Sequence, residues 1–387
     1  MKNREKKVKH YRRHLFLMWV MRPFIVLFLR LIMGYQCKRE KGPDTPSIII
    51  ANHNTDFDPA FVMLGFTNYI YFVASEHSFR MGFRSKLLTF VFAPIPINKV
   101  QTDSSTLKEI FHRLKAGFSV CIFAEGNRSY NGVTGSVPFS TAKLVKMSGV
   151  DLITYRLEGG YFTTPRWADK KRIGTITGRV RGRYSAEELR SMPPQQILNV
   201  IERDIHEDAY ERQKEKPVCY RGKNPAEHIE TVLYLCPNCK KTGTIHSKGN
   251  RFSCGCGLEA VYTETSFLEG APFSTITEWD RWQAEQLAQI VNSSGDEIIC
   301  ADDNQRLFKV IPAKGSVFAA EGPMRISRTE FYCAGMVFPL REIKQFAIIG
   351  KMTLLFALND GTQYEVHSAF PRSALKYLEV FRILRNE

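Results

Sequence analysis

The sequence predicts a large α/β domain followed by two small attachments, one built on cysteines and one rich in β-strand. Three observations predict it. Between Pro46 and Leu157, strand-like apolar runs alternate with helical patterns, which is the mark of a largely parallel sheet covered by helices. Four of the nine cysteines cluster between Cys236 and Cys256. From Ser316 onward the pattern changes to short strands and tight-turn residues. At 387 residues and 44% hydrophobic content, the chain can build several cores and does not have the composition of a disordered one.

The first element is an apolar run from Leu15 to Tyr35, preceded by seven basic residues and one acid between Lys2 and Arg13. Arg22, Pro23 and Arg30 interrupt it. A charge at the centre of a bilayer span costs about 2.5–3.5 kcal/mol on insertion scales. Residues 1–42 are therefore expected to form amphipathic membrane helices, as an interfacial or re-entrant hairpin, with the basic flank on anionic headgroups. No small-residue cleavage site follows the run, so a cleaved secretory signal is not expected.

Residues 43–215 carry the α/β pattern. The strand-like SIIIA is followed by a helix near Pro59–Gly65, then YIYFVA, a helix near 84–92 and APIPIN. A helix over Thr106–Gly117 shows Leu107, Ile110, Phe111 and Leu114 on one face, and SVCIFA follows it. In such sheets the loops beyond the carboxyl ends of the strands gather into a site. The stretch Tyr184–Lys216 reads as helical, with an apolar stripe of Leu198, Ile201 and Ile205, and 216–227 as a linker. A cysteine segment occupies 228–265. A helical connector over 266–300 has a cap expected at Thr277 with Asp280 three residues on. The β-rich part, 301–387, has a hairpin at Asn359-Asp360-Gly361 and a closing helix marked by Leu375, Leu378, Phe381 and Leu384.

Two loops carry the chemistry. SIIIA runs into Asn52-His53-Asn54-Thr55-Asp56-Phe57-Asp58, and SVCIFA runs into Glu125-Gly126-Asn127-Arg128-Ser129. A neutral imidazole can take a proton from a hydroxyl near neutral pH when a carboxylate holds its other N–H. His53 and Asp58 are expected to take these roles, as general base and orienter. No GxSxG elbow occurs, and none is needed if the substrate supplies the nucleophilic hydroxyl. Gly126 lets backbone approach a ligand, Arg128 offers a fork for phosphate oxygens, and Glu125 can accept from a substrate hydroxyl. Either segment alone is an ordinary loop ion pair.

As a pair in this order they resemble the glycerophospholipid acyltransferases typified by the 1-acylglycerol-3-phosphate acyltransferases. The N-H-x-x-x-x-D block of that family is matched by Asn52, His53 and Asp58. Its F-P-E-G-T-R-S block appears as FAEGNRS, keeping Phe123, Glu125, Gly126, Arg128 and Ser129, with Ala124 for proline and Asn127 for threonine. An intervening block ends here in Lys99 instead of arginine, and Asp151–Arg156 lacks the prolines of the fourth block. The resemblance covers roughly residues 15–215. It implies acyl transfer from acyl-CoA or acyl-ACP to a lysophospholipid acceptor, foremost 1-acyl-sn-glycerol 3-phosphate. Asn52, Lys99, Glu125, Gly126, Arg128 and Ser129 would bind the substrate. The leaving thiolate needs no catalytic metal.

Cys236-Pro237-Asn238-Cys239 and Cys254-Gly255-Cys256, fourteen residues apart, form two chelating knuckles joined by an expected hairpin, which suits four-thiolate structural zinc. This segment resembles a zinc ribbon, and the other five cysteines are scattered, as in a reducing compartment. The β-rich tail resembles a pleckstrin-homology or related lipid-binding module. Fifty-four Lys and Arg against thirty-nine Asp and Glu give +15, favouring an anionic partner. An anionic membrane surface at the cytoplasmic face is expected, with acyl carrier protein as a candidate partner and no nucleic acid. A non-enzymatic zinc-ribbon protein that binds nucleic acid or acts as a scaffold is the alternative, and it leaves both opening loops without a role.

Overall fold

The computed structural model of the chain describes residues 2–75, 92–97, 104–311 and 315–385. They fall into two units, one ending at Gly222 and one comprising Arg166–Lys170 and Lys223–Glu387. The helix expected near 84–92 lies, but for Phe92, outside the described residues, as does Lys99.

The first unit opens with helix α1, Lys2–Met33, which runs without a break through Pro23. The expected hairpin is thus corrected to a single helix. Arg22, which argued for the break, instead donates to the carbonyls of Leu64 and Phe66, at the buried carboxyl end of helix α2, Asp58–Gly65, which Phe66 caps. Those carbonyls are the negative end of a helix dipole, so the charge is matched inside the protein. One face of α1 buries Leu29 and Met33 and rests Leu15, Met18, Ile25 and Val26 on the domain core. The other exposes Phe16, Trp19, Phe24, Leu27, Phe28 and Leu31.

The central sheet comprises β1 Ser47–Ala51, β2 Ile70–Ser75, β3 Ile95–Ile97, β4 Ser119–Phe123, β5 Asp151–Glu158 and β6 Thr177–Tyr184. Their order is β3-β2-β4-β1-β5-β6. The first five run parallel and β6 is antiparallel to β5. Alternation sends Ile49 and Ala51 to the face that meets α1 and α2. Ile48 and Ile50 go to the other, among Ile110, Ala142, Val145, Ile197 and Ile201. These come from α3 Ser104–Lys115, α4 Phe139–Ser148 and α6 Pro194–Ile205. Leu107, expected on the buried face of α3, is exposed, and Thr106 takes an inward position, donating to the Pro96 carbonyl. The stretch read as one helical region is β6 through Tyr184, then α5 Ala186–Ser191, α6, and α7 Ala209–Glu215.

The second unit holds a four-stranded sheet of β7 Ile245–Lys248, β8 Arg251–Cys254, β9 Glu259–Tyr262 and β10 Leu268–Glu269. Helix α8, Ile276–Ser293, is capped two residues before the expected position. Thr275 is extended and accepts from the Glu278 N–H in a capping box, whereas Thr277 lies inside the first turn, where its φ/ψ cannot cap. Trp279 Nε1 donates to Leu235 O, and Gln283 bonds the backbone of both Val232 and Tyr234. These bonds fix α8 to the cysteine segment.

Seven antiparallel strands follow: β11 Cys300–Ile311, β12 Gly315–Ile326, β13 Glu330–Cys333, β14 Met336–Pro339, β15 Ile343–Ile349, β16 Thr353–Leu358 and β17 Gln363–Ser368. They are ordered β14-β13-β12-β11-β17-β16-β15 and closed by α9, Leu375–Arg385. The expected Asn359–Gly361 turn joins β16 to β17, with Gly361 at φ +89°.

Candidate active site

Parallel pairing decides where the two loops meet. Ile48 faces Val120 and Ala51 faces Phe123, so β1 and β4 end level and deliver Asn52-His53 and Ala124-Glu125 side by side. Two bonds then join the loops to each other, and a third holds Glu125 in place. The His53 N–H donates to Glu125 Oε1 at 2.6 Å, the Gly135 N–H donates to Glu125 Oε2 at 2.7 Å, and the Ser129 N–H donates to the His53 carbonyl at 2.9 Å.

His53 Nδ1 lies 2.8 Å from Asp58 Oδ2. Asp58 is fully buried and also accepts from the N–H groups of Asn54 (2.5 Å) and Thr55 (2.9 Å) and from Thr55 Oγ1 (2.7 Å). A carboxylate receiving this many donors is acceptor-only, so Nδ1–H donates and Nε2 is left as the basic nitrogen. Asp58 is also the first residue of α2, where the helix dipole favours a negative charge. The imidazole stacks on Phe123 with centroids 4.7 Å apart, and its side chain keeps 21% exposure. Its plane is therefore fixed from two sides while one edge stays accessible.

Arg128 Nε sits 3.3 Å from Asp56 Oδ1, in the same loop as His53. Gly126 adopts φ +69°, and a Cβ there would meet nothing within 4 Å, so this turn borders open space. Burial pushes the Glu125 carboxyl up to about 8, against the pull of its two backbone N–H donors and with a further push from Asp58.

The expected site residues separate into two groups. His53, Asp58, Gly126 and Arg128 converge. Asn52, expected to touch substrate, is corrected: it is fully buried, with both ends of its amide on the Leu157 backbone, joining β1 to β5. Ser129 is likewise spent within its own turn, donating to Val133 O and accepting from the Gly132 N–H. Glu125 reaches the site through the backbone it holds. Thr55 was missed, although Thr-x-x-Asp ahead of an apolar helix is a capping signature that sequence displays.

In the second unit, the Sγ atoms of Cys236, Cys239, Cys254 and Cys256 all lie within 4.8 Å of one another. Cys236 to Cys256 is 3.6 Å and Cys239 to Cys254 is 3.8 Å. Bonds of about 2.3 Å in a tetrahedron place sulfurs about 3.8 Å apart, so the donor set and spacing fit zinc. The β7–β8 hairpin sets the spacing between the knuckles.

Residues 35–157 match the Acyltransferase family model. Among solved structures, the chain is similar to the crystal structure of the 1-acyl-sn-glycerophosphate (LPA) acyltransferase PlsC from Thermotoga maritima. The similarity has 17% identity and a TM-score of 0.36, covering 52% of this chain and 95% of that one. No curated protein matches the chain.

Proposed function

We propose that the acyltransferase domain of this chain moves a fatty acyl group from an acyl thioester, acyl-CoA or acyl-ACP, to the free hydroxyl of a lysophospholipid, foremost 1-acyl-sn-glycerol 3-phosphate. The observation that carries the reading is the 2.8 Å contact of His53 Nδ1 with the buried, fourfold-bonded Asp58, beside an arginine-bearing turn. His53 Nε2 takes the proton of the acceptor hydroxyl as its oxygen attacks the thioester carbonyl. The tetrahedral adduct expels the thiolate, which recovers that proton from the imidazolium, leaving an ester and a free thiol. Asp58 holds the ring with Nε2 turned to the acceptor. Arg128 and Lys99 bind the phosphate, Gly126 leaves room for it, and Glu125 and Asn52 act as positioning residues.

Zinc on the four cysteines would hold the knuckles and supply folding energy to the second unit. The exposed face of α1 suits insertion into the membrane interface, where the acceptor resides. The seven strands and closing helix of the tail support the pleckstrin-homology-like reading.

The full chain in detergent, incubated with a panel of lysolipids and acyl thioesters, tests this by product mass. The expected product is a diacyl lipid formed one-to-one with free thiol. Absence of any product, or a His53→Ala variant as active as the parent, rejects it.

A further inference from the structure

We propose that Lys171 is an additional grip on the acceptor, binding the phosphate of a lipid headgroup at the place where the catalytic loop meets the apolar helix. The proposal rests on the acyl-transfer reading and extends it to a residue outside the matched segment 35–157. The Lys171 ammonium lies 4.2 Å from the ring centroid of Phe57, the residue between Asp56 and Asp58, and 5.7 Å from that of Phe28 on α1. Phe28 belongs to the exposed apolar face of α1. One cation is thus held between the loop that carries His53 and the surface suited to an acyl chain.

Its chain position is fixed. The next residue, Arg172, is buried and its N–H donates to Thr163 O at 2.8 Å. Lys171 itself is exposed, and among the described residues no carboxylate pairs with it. Arg128, by contrast, is already engaged by Asp56. A ring face attracts the charge without neutralising it or supplying an acceptor oxygen, so the ammonium can still donate to phosphate oxygens. A lipid with its tail along α1 and its hydroxyl at His53 has its phosphate only a few bonds from that hydroxyl, within reach of this cation.

The test is steady-state acyl transfer by the full chain in mixed micelles, comparing Lys171→Ala and Lys171→Arg with the parent. Lys171→Ala is expected to raise KM for lysophosphatidate about tenfold, the size of one charge-assisted contact, with the loss falling on KM. Lys171→Arg should recover most of it, and KM for an uncharged monoacylglycerol should not move. Equal KM for lysophosphatidate in parent and Lys171→Ala, or an equal rise for both acceptors, overturns the proposal. Inorganic phosphate as competitor separates a lipid-borne group from a free one: competition is expected only far above the lysophosphatidate concentration, and equal potency overturns the lipid assignment. If the parent acylates nothing, the acyl-transfer reading fails on its own. Equilibrium binding to lysophosphatidate micelles then decides Lys171, with loss in Lys171→Ala upholding the grip and unchanged binding ending it.

Discussion

At the scale of single residues, His53 and Asp58 differ in what their removal breaks. In His53→Ala, Asp58 keeps its bonds from Asn54, Thr55 N–H and Thr55 Oγ1, and what is lost is the ring stacked on Phe123 with its one bond to Asp58, about 1–2 kcal/mol. Transfer should vanish while the thermal midpoint changes little. In Asp58→Asn, the amide oxygen can keep the three N–H donors of Oδ2 but without the charge, and the NH2 group takes the place of Oδ1, where the Thr55 hydroxyl must turn from donor to acceptor in a fully buried position, costing about 1–3 kcal/mol. Turnover should fall by about two to four orders of magnitude as the imidazole loses its orienter. Comparing melting curves with rates in the two variants checks this, and equal midpoints would overturn the buried-acceptor account. Glu125 adds a pH signature. Its carboxyl, raised from 4.5 to about 8, holds a proton in the folded chain that the unfolded chain has already released. Its contribution to stability is complete below the ordinary carboxylate range and is lost as pH rises through about 8. Glu125→Gln cannot titrate, so the parent's midpoint should fall toward the variant's between pH 5 and 9, as fluorimetric melting would show. A constant gap contradicts it. The sequence displayed these residue types, but not that Asn52 and Ser129 spend their polar atoms on backbone, because Leu157 and Val133 join them only when β1 meets β5 and the turn closes.

At the scale of elements, alternation was the readable signal, and it failed where side-chain chemistry masked it. Strands β1, β4 and β5 are buried on both faces and read as apolar runs. Edge strand β6 went unseen because Arg179, Arg181 and Arg183 fill its outer positions. Its register also shifts opposite Thr154 and Tyr155, a bulge that no local pattern reports. Helix α1 was misjudged for a related reason, since the carbonyls that satisfy Arg22 lie at the end of α2 and on its cap, distant in sequence. The cysteine knuckles were readable because their spacing is local. Their energetics should be too: a four-stranded sheet with strands of two to four residues is too small to be stable without a staple. The purified chain should carry one zinc, and a strong chelator or Cys239→Ser should lower the melting temperature by several degrees. A chain that holds no metal and melts unchanged in chelator removes the structural-zinc assignment.

At the scale of the whole molecule, two forces of different range would bring the chain to a membrane, and salt separates them. The +15 charge acts through solvent, and its reach shrinks from about 10 Å at 0.1 M salt to about 3 Å at 1 M. The apolar face of α1 acts only on contact and is not screened, at about 25 cal/mol per Å2 removed from water. Trp19, Phe24 and Leu27 are 75%, 70% and 58% exposed, so replacing them takes little from the fold. The parent should float with anionic vesicles at 0.1 M salt, bind several-fold more weakly at 0.5 M, and still bind. The triple variant Trp19→Glu, Phe24→Glu, Leu27→Glu should retain only weak binding at 0.1 M and none at 0.5 M. If high salt alone strips the parent from the vesicles completely, charge does the anchoring and the exposed face of α1 is not inserted. A lipid acceptor would then have to leave the bilayer to reach His53.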